Sequence, residues 1–204
     1  MTRSDYVKDQ IENRWPEQFK NHVATMQSLF LDDPGRHGTP IVWLEWRSPR
    51  TWTYACRYMI DSQWLFAYGD LFEATYQWGG SISLEFLAGL NFDYFLGKCR
   101  ASPDGRNWET WHDDVARTEL NRIRDLTKAD EYPNQKEFEW TRNVLDCGAS
   151  REEVEYVAQQ IYDKTGDAEW AGEIKTCGMT PDTMAIGHFV GIKMAYQQLT
   201  KGSK

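Results

Sequence analysis

The acids after the third predicted strand are the residues best placed for acid–base chemistry in this sequence. Asp70 follows Gly69, and Glu73 comes three residues later. Carboxylates at the end of a strand can act as general acid and base when burial separates their pKa values. The same spacing forms a helix capping box, with Asp70 as the N-cap of a short helix over 71–78. We expect capping to explain both acids, and catalysis remains the alternative.

His188 is the histidine for which the sequence predicts a position in a closely packed helix. It lies on a predicted C-terminal helix that opens at Thr180-Pro181 and carries Gly187 and Gly191 four residues apart. Two glycines at this spacing indicate that another element passes close to the helix, since glycine destabilises a helix interior by about 1 kcal/mol. We therefore predict a hydrogen-bonded core histidine. In the alternative, His188 joins Asp70 and Glu73 in a pocket between the sheet and helix 84–96.

Other familiar chemistries are not supported by the spacing of reactive residues. No two of the four histidines are three or four residues apart, and His112 and Asp113 would point about 100° apart on a helix. The sequence has no G-x-S-x-G nucleophile elbow and no phosphate-binding glycine loop. The four cysteines form no C-x-x-C pair, which favours a reduced protein over the alternative of two disulfides. We predict neither a metal nor a cofactor.

Charge is distributed unevenly along the 204 residues. The net charge is −8, and residues 103–204 carry 13 Lys/Arg against 19 Asp/Glu, compared with 10 against 12 in residues 1–102. An acidic chain is repelled by phosphate backbones, so we expect no direct nucleic-acid binding. The acids on the C-terminal helices are either simply solvated or complementary to a basic partner. The predicted partner-binding residues are Glu137, Glu139, Glu152, Glu153 and Glu155.

The hydrophobic pattern predicts an α+β fold. Helical spacing joins Trp15, Phe19, Val23, Met26 and Phe30 on one face. Residues 41–69 alternate instead, with turns at 48–50 and 61–63, which predicts a small three-stranded antiparallel sheet packed by helices. Ser83 and Asn91 are predicted caps, and Ser150 to Glu153 form a capping box in a helical C-terminal half. We predict a single domain over 1–204, with possible sub-lobes 1–100 and 106–204.

Aromatic residues make up 14% of the chain and concentrate on the predicted strands. The stripe on the second and third strands includes Trp52, Tyr54, Tyr58, Trp64 and Tyr68. Such a stripe can stack bases or sugars when a positive groove accompanies it. Because one face of an antiparallel sheet normally packs on the core, we predict that the N-terminal helices bury this stripe.

Two stretches resemble small uncharacterised proteins encoded by phages and prophages. They are 69–78 continued by 84–95 (GDLFEATYQW, LEFLAGLNFDYF) and 185–191 (AIGHFVG). The likeness covers about a third of the chain and includes no catalytic motif. It implies a phage accessory protein of the anti-CRISPR or other anti-defence type, made in the bacterial host cytoplasm.

The sequence thus predicts a non-enzymatic inhibitor. Its acidic surface would bind a basic surface on a host defence complex that handles nucleic acid. The alternative is an enzyme or small-ligand-binding protein that uses the Asp70, Glu73 and His188 pocket. No segment reaches the 18 apolar residues of a membrane span, so no membrane partner is expected, and a homo-oligomer is possible.

Overall fold

The computed structural model describes residues 1–29, 40–101, 109–127 and 150–201. Contacts between these residues cluster into two compact units. The sheet unit comprises Lys8–Trp108 and Pro181–Lys204, and the helical unit comprises Met1–Val7 and Glu109–Thr180. That residues 1–204 form a single domain stays a prediction.

A six-stranded antiparallel sheet forms the centre of the sheet unit. The strands follow one another in space in the same order as in the chain. They are β1 (Val23–Leu29), β2 (Ile41–Arg47), β3 (Cys56–Asp61), β4 (Trp64–Gly69), β5 (Ala74–Gln77) and β6 (Cys99–Ala101). A separate two-stranded sheet pairs β7 (Glu109–Trp111) with β8 (Met179–Pro181).

The prediction of a three-stranded sheet is therefore wrong, although the α+β class and the helical C-terminal half fit the structure. The predicted meander corresponds to β2, β3 and β4. The segment from Val23, which we assigned to a helix, is β1 and pairs along its whole length with β2. The segment from Ala74, which we expected to follow an Asp70 cap as a helix, is β5. Cross-strand pairing supplies a stability that helical spacing within one segment does not reveal.

The long α8 (Thr183–Lys201) packs against β1 and β2. Four shorter helical segments pack against α8: a π-helical turn (Gln10–Arg14), α2 (Trp15–Gln18), α3 (Leu84–Gly89) and α4 (Phe92–Leu96). Most of α1 (Arg3–Asp9) belongs to the helical unit. Ser83 and Asn91 cap α3 and α4 as predicted, each accepting a backbone N–H. The inner-face side chains Leu44, Trp46, Tyr58 and Leu65 are at most 1% exposed.

The glycine pair on α8 brings this helix close to its neighbours. A Cβ added at Gly187 would lie 2.8 Å from Leu71 and 2.9 Å from Trp15. A Cβ at Gly191 would lie 2.5 Å from the hydroxyl of Tyr58. The predicted close approach is confirmed, and α8 is the central core helix of the sheet unit.

The helical unit has its own core. Helices α5 (Asp113–Thr127), α6 (Arg151–Thr165) and α7 (Ala168–Thr176) bury a cluster that includes Leu120, Val157, Ile161 and Ile174. The capping box predicted at the start of α6 is present, with the Ser150 and Glu153 side chains each bonded to the other residue's backbone N–H. Local sequence therefore places this helix start correctly.

Within the described part of the chain, none of the helices is both long enough and apolar enough to cross a membrane.

Candidate functional site on the outer face of the sheet

Alternation along the strands sorts the aromatic residues onto two faces. In β3, Cys56, Tyr58 and Ile60 are buried, whereas Arg57 and Met59 are partly exposed. The β3–β4 turn pairs Asp61 with Trp64, so Tyr58 lies opposite Ala67 and Arg57 lies opposite Tyr68. The predicted aromatic stripe is therefore split between the faces. We call the half-buried side the outer face: Trp43, Glu45, Arg47, Arg57, Met59, Trp64, Phe66 and Tyr68.

The first row across the outer face is ionic and aromatic. Glu45 lies opposite Arg57, which in turn lies opposite Tyr68. The Glu45 carboxylate accepts a hydrogen bond from Nε of Arg47 at 3.0 Å and from Nε of Arg57 at 3.1 Å. Partial burial raises the pKa of Glu45, but the hydrogen bonds from the two arginines outweigh it, so the pKa of this carboxyl is lowered overall. One carboxylate thus orients two guanidinium groups.

Trp52 lies beside these two arginines at the edge of the outer face. Its ring centroid is 4.7 Å from the guanidinium carbon of Arg47 and 5.0 Å from that of Arg57. Arg57 also lies 5.9 Å from the ring of Tyr68, so one planar cation contacts two aromatic rings. Trp52 nevertheless remains 58% exposed. This arrangement presents an indole and two oriented guanidinium groups to solvent.

A shallow pocket of about 260 Å³ is lined by Trp52, Ala55, Arg57, Gly69 and Asp70. Tyr54 has a positive φ of 58°, and Asp70 Oδ2 accepts its backbone N–H at 2.6 Å. Gly69 has a φ of 131°, and a Cβ there would lie 2.3 Å from the Ala55 carbonyl oxygen. Asp70 and Gly69 therefore hold the turn that presents Trp52.

The second row across the outer face is apolar. Trp43 lies opposite Met59, and Met59 lies opposite Phe66. Trp43 and Tyr68 make an edge contact with centroids 5.6 Å apart, and Trp64 stacks with Phe66 at 6.1 Å. Aromatic pairs of this kind hold one another in place, so they form a rigid apolar surface next to the arginines.

The structure does not bring Asp70, Glu73 and His188 together in a pocket. Asp70 and Glu73 are both exposed. His188 is fully buried on α8, where its Nδ1 lies 3.2 Å from the Tyr76 hydroxyl. Burial lowers the pKa of His188 to about 4, while hydrogen bonding to the backbone at Leu71 and Phe72 acts in the opposite direction. Its position is that of the core histidine predicted from the glycine pair.

The capping box predicted at Asp70 and Glu73 is wrong, because β5 follows this turn and not a helix. The carboxylate of Asp70 serves the Tyr54 turn instead. Asp70, which we assigned to a helix start, therefore stabilises the turn beside Trp52.

The described residues include three of the five acids in the predicted partner-binding surface, namely Glu152, Glu153 and Glu155. Glu137 and Glu139 lie outside the described residues. Glu153 belongs to the capping box, and Glu155 accepts a hydrogen bond from Arg151 at 2.9 Å. Glu152 is exposed in the first turn of α6. Two of the three described acids thus already have local structural partners.

Charge nevertheless separates clearly between the units. Counted over the sequence, the sheet unit has 13 Lys/Arg and 13 Asp/Glu, whereas the helical unit has 10 and 18. The whole net charge of −8 therefore belongs to the helical unit. The sheet unit is neutral, so the arginines near Trp52 do not face an acidic surplus in their own unit.

Sequence reasoning missed Trp43 and Glu45 as members of this site. The available signal was the alternation of 41–47, which places both residues on the same strand face as Arg47. What it could not supply was the register that sets Glu45 opposite Arg57.

Comparison of the chain with protein-family models, with curated proteins and with solved structures yields no match.

Proposed function

We propose that this chain is a non-enzymatic binding protein that docks a protein partner on the outer face of its sheet. The observation that carries the proposal is the cluster of Trp52, Arg47 and Arg57 beside the apolar row. Tryptophan, tyrosine and arginine dominate the energetics of protein interfaces, especially where they are preorganised next to apolar surface. The partner surface would present carboxylates to the arginines and apolar side chains to the aromatic row.

Hydrogen bonding within the site favours a carboxylate-bearing partner. Arg47 and Arg57 both donate to Glu45 through Nε, which leaves their terminal nitrogens outside these two hydrogen bonds. A guanidinium group whose orientation is already set loses less entropy when it binds a second carboxylate. Carboxylate recognition therefore requires little rearrangement of the free protein.

The distribution of charge in this chain favours a protein partner over single-stranded nucleic acid. Binders of single strands combine stacking aromatics with a positive groove. Here the two arginines share one carboxylate, the sheet unit is neutral and the helical unit is strongly acidic. The phage origin and the role as an anti-CRISPR or anti-defence inhibitor remain predictions within this proposal. Docking through the acidic residues of α6 is the rival prediction, which the experiment below separates from docking on the outer face.

Capture from a bacterial lysate with matched variants tests the docking surface. Trp52→Ala removes the exposed indole, and Tyr156→Ala removes an aromatic side chain that is 64% exposed on α6. Glu152→Lys reverses the exposed acid of α6. We expect Trp52→Ala to lose the captured protein and the other two variants to retain it.

Two results would contradict this proposal. Loss of the partner with Glu152→Lys but not with Trp52→Ala would assign binding to the acidic helices. Tight, Trp52-dependent binding of a labelled oligothymidine in fluorescence anisotropy would assign the outer face to nucleic acid. Nuclease treatment of the lysate separates a protein bound directly from one bridged by nucleic acid.

A further inference from the structure

Among the strands of the described residues, β1 is terminal in the order of the sheet. One side chain, that of Gln198, marks the side to which the outward hydrogen-bonding groups of β1 point. The backbone N–H of Ala24 donates to Oε1 of Gln198 at 2.7 Å, and Nε2 of Gln198 donates to the carbonyl of His22 at 3.2 Å. This amide therefore bonds to β1 as the backbone of a further strand would. Alternate residues of an antiparallel strand direct their backbone N–H and C=O groups to the same side. The backbone groups of Met26 and Ser28 therefore point to the same open edge as those of Ala24.

The composition of β1 is unusual for an edge strand. The seven residues Val23–Leu29 include no charged residue, no proline and no glycine. Natural sheets commonly protect an edge strand with charged residues, especially lysine, and with proline. Val23 is 43% exposed, and Met26 and Leu29 are each 47% exposed. The strand thus combines outward hydrogen-bonding groups with exposed apolar side chains.

The sequence of β1 is complementary to itself when read antiparallel. A two-fold axis at Met26 places Val23 opposite Leu29, Ala24 opposite Ser28 and Thr25 opposite Gln27. Apolar residues then face apolar residues, and polar or small residues face one another. Met26 faces its own copy as a hydrogen-bonded pair, because its N–H and C=O point outward. This is the geometry of an isologous interface.

We propose that a second copy of this chain binds along β1, so that two six-stranded sheets join edge to edge around Met26. This inference is independent of the outer-face proposal, since it uses the edge and not a face of the sheet. One strand from each copy makes a small interface compared with the roughly 1,200–2,000 Å² of stable complexes, so we expect a weak, reversible dimer. Because Ala24 lies opposite Ser28 in this register, the Gln198 amide must leave Ala24 in each copy before the Ala24–Ser28 pairs form, and Gln198 therefore weakens the dimer.

Sedimentation velocity of the full chain from about 1 to about 300 µM tests the proposal. Met26→Lys places two ammonium groups together at the axis and should raise the dissociation constant at least about tenfold. Met26→Ile keeps an apolar side chain and the same backbone groups, so it should stay within about threefold of the wild type. Gln198→Ala frees two edge groups and should lower the dissociation constant.

A chain that remains monomeric up to about 300 µM overturns the proposal. So does a dimer that Met26→Lys leaves intact, because its interface would then lie elsewhere. Trp52→Ala serves as the control for the outer face, and its dimer should match that of the wild type. Far-UV circular dichroism of each variant shows whether the monomer fold is retained.

Discussion

Acidification should destabilise the sheet unit through His188. This histidine is fully buried between α8 and the sheet, and its Nδ1 lies 3.2 Å from the Tyr76 hydroxyl. Burial lowers the pKa of His188 in the folded protein to about 4. In the unfolded chain the pKa of histidine is about 6.5. The unfolded state therefore takes up a proton at a higher pH than the folded state does.

The sign and size of the effect follow from this difference. The His188 contribution to stability is fully present above pH ~6.5, declines as the pH falls and is lost below pH ~4. A difference of about 2.5 pKa units corresponds to about 3 kcal/mol, of which about 2 kcal/mol is lost by pH 5. Burial also lowers the pKa of His22, which adds a loss of the same sign.

Urea unfolding at pH 7.5, 6.0 and 5.0 measures this loss, with His188→Gln as the reference. The variant removes the titrating ring, so the pH dependence that both proteins share, including that of the carboxyl groups and His22, cancels in the comparison. We expect the wild type to lose about 2 kcal/mol more than the variant between pH 7.5 and pH 5.

Parallel pH profiles for the two proteins would refute the reasoning. If His188→Gln does not fold, NMR titration of the imidazole in the wild type provides the same test. A pKa above 6 for His188 would show that burial does not control its protonation.

Three further outcomes test the packing and the local chemistry. Gly191→Ala should cost about 1–3 kcal/mol in urea unfolding, because the new Cβ would lie 2.5 Å from a buried tyrosine hydroxyl. Its control, Gly172→Ala, has no atom within 4 Å of the Cβ position and should gain about 1 kcal/mol, so equal effects would contradict this packing. Ser150→Ala should destabilise the helical unit by about 1 kcal/mol, whereas an unchanged unfolding midpoint would argue against the cap. Burial raises the pKa of the Cys56 thiol to about 12, so mass spectrometry should find Cys99 alkylated before Cys56 at pH 8, and equal rates would disprove its protection.

Where the sequence predicted structure well, the decisive contacts were local. Ser150 and Glu153 are three residues apart, and the capping box needs nothing beyond that turn. Gly187 and Gly191 indicated the close approach of another element, because two glycines destabilise a helix unless the missing side chains allow a neighbour to pack there. The core position of His188 followed from that glycine pair.

Where the predictions failed, distant partners decided the outcome. The spacing of Val23 and Met26 suits a helix, but Val23 lies opposite Arg47 in the sheet. Asp70 satisfied the spacing of a capping box, yet its carboxylate accepts the Tyr54 N–H sixteen residues away. Neither contact can be predicted from the residues that lie next to Val23 or Asp70 in the sequence.

By itself the sequence determined an α+β composition, the helix starts at Ser83, Asn91 and Ser150, and the concentration of net negative charge in the C-terminal half. Only the tertiary structure decided which aromatic residues face outward and that Glu45 holds Arg47 and Arg57 beside Trp52. The physical reason is strand register. Side chains alternate between faces with a period of two, so a shift of one residue at a turn would move every side chain of a strand to the other face.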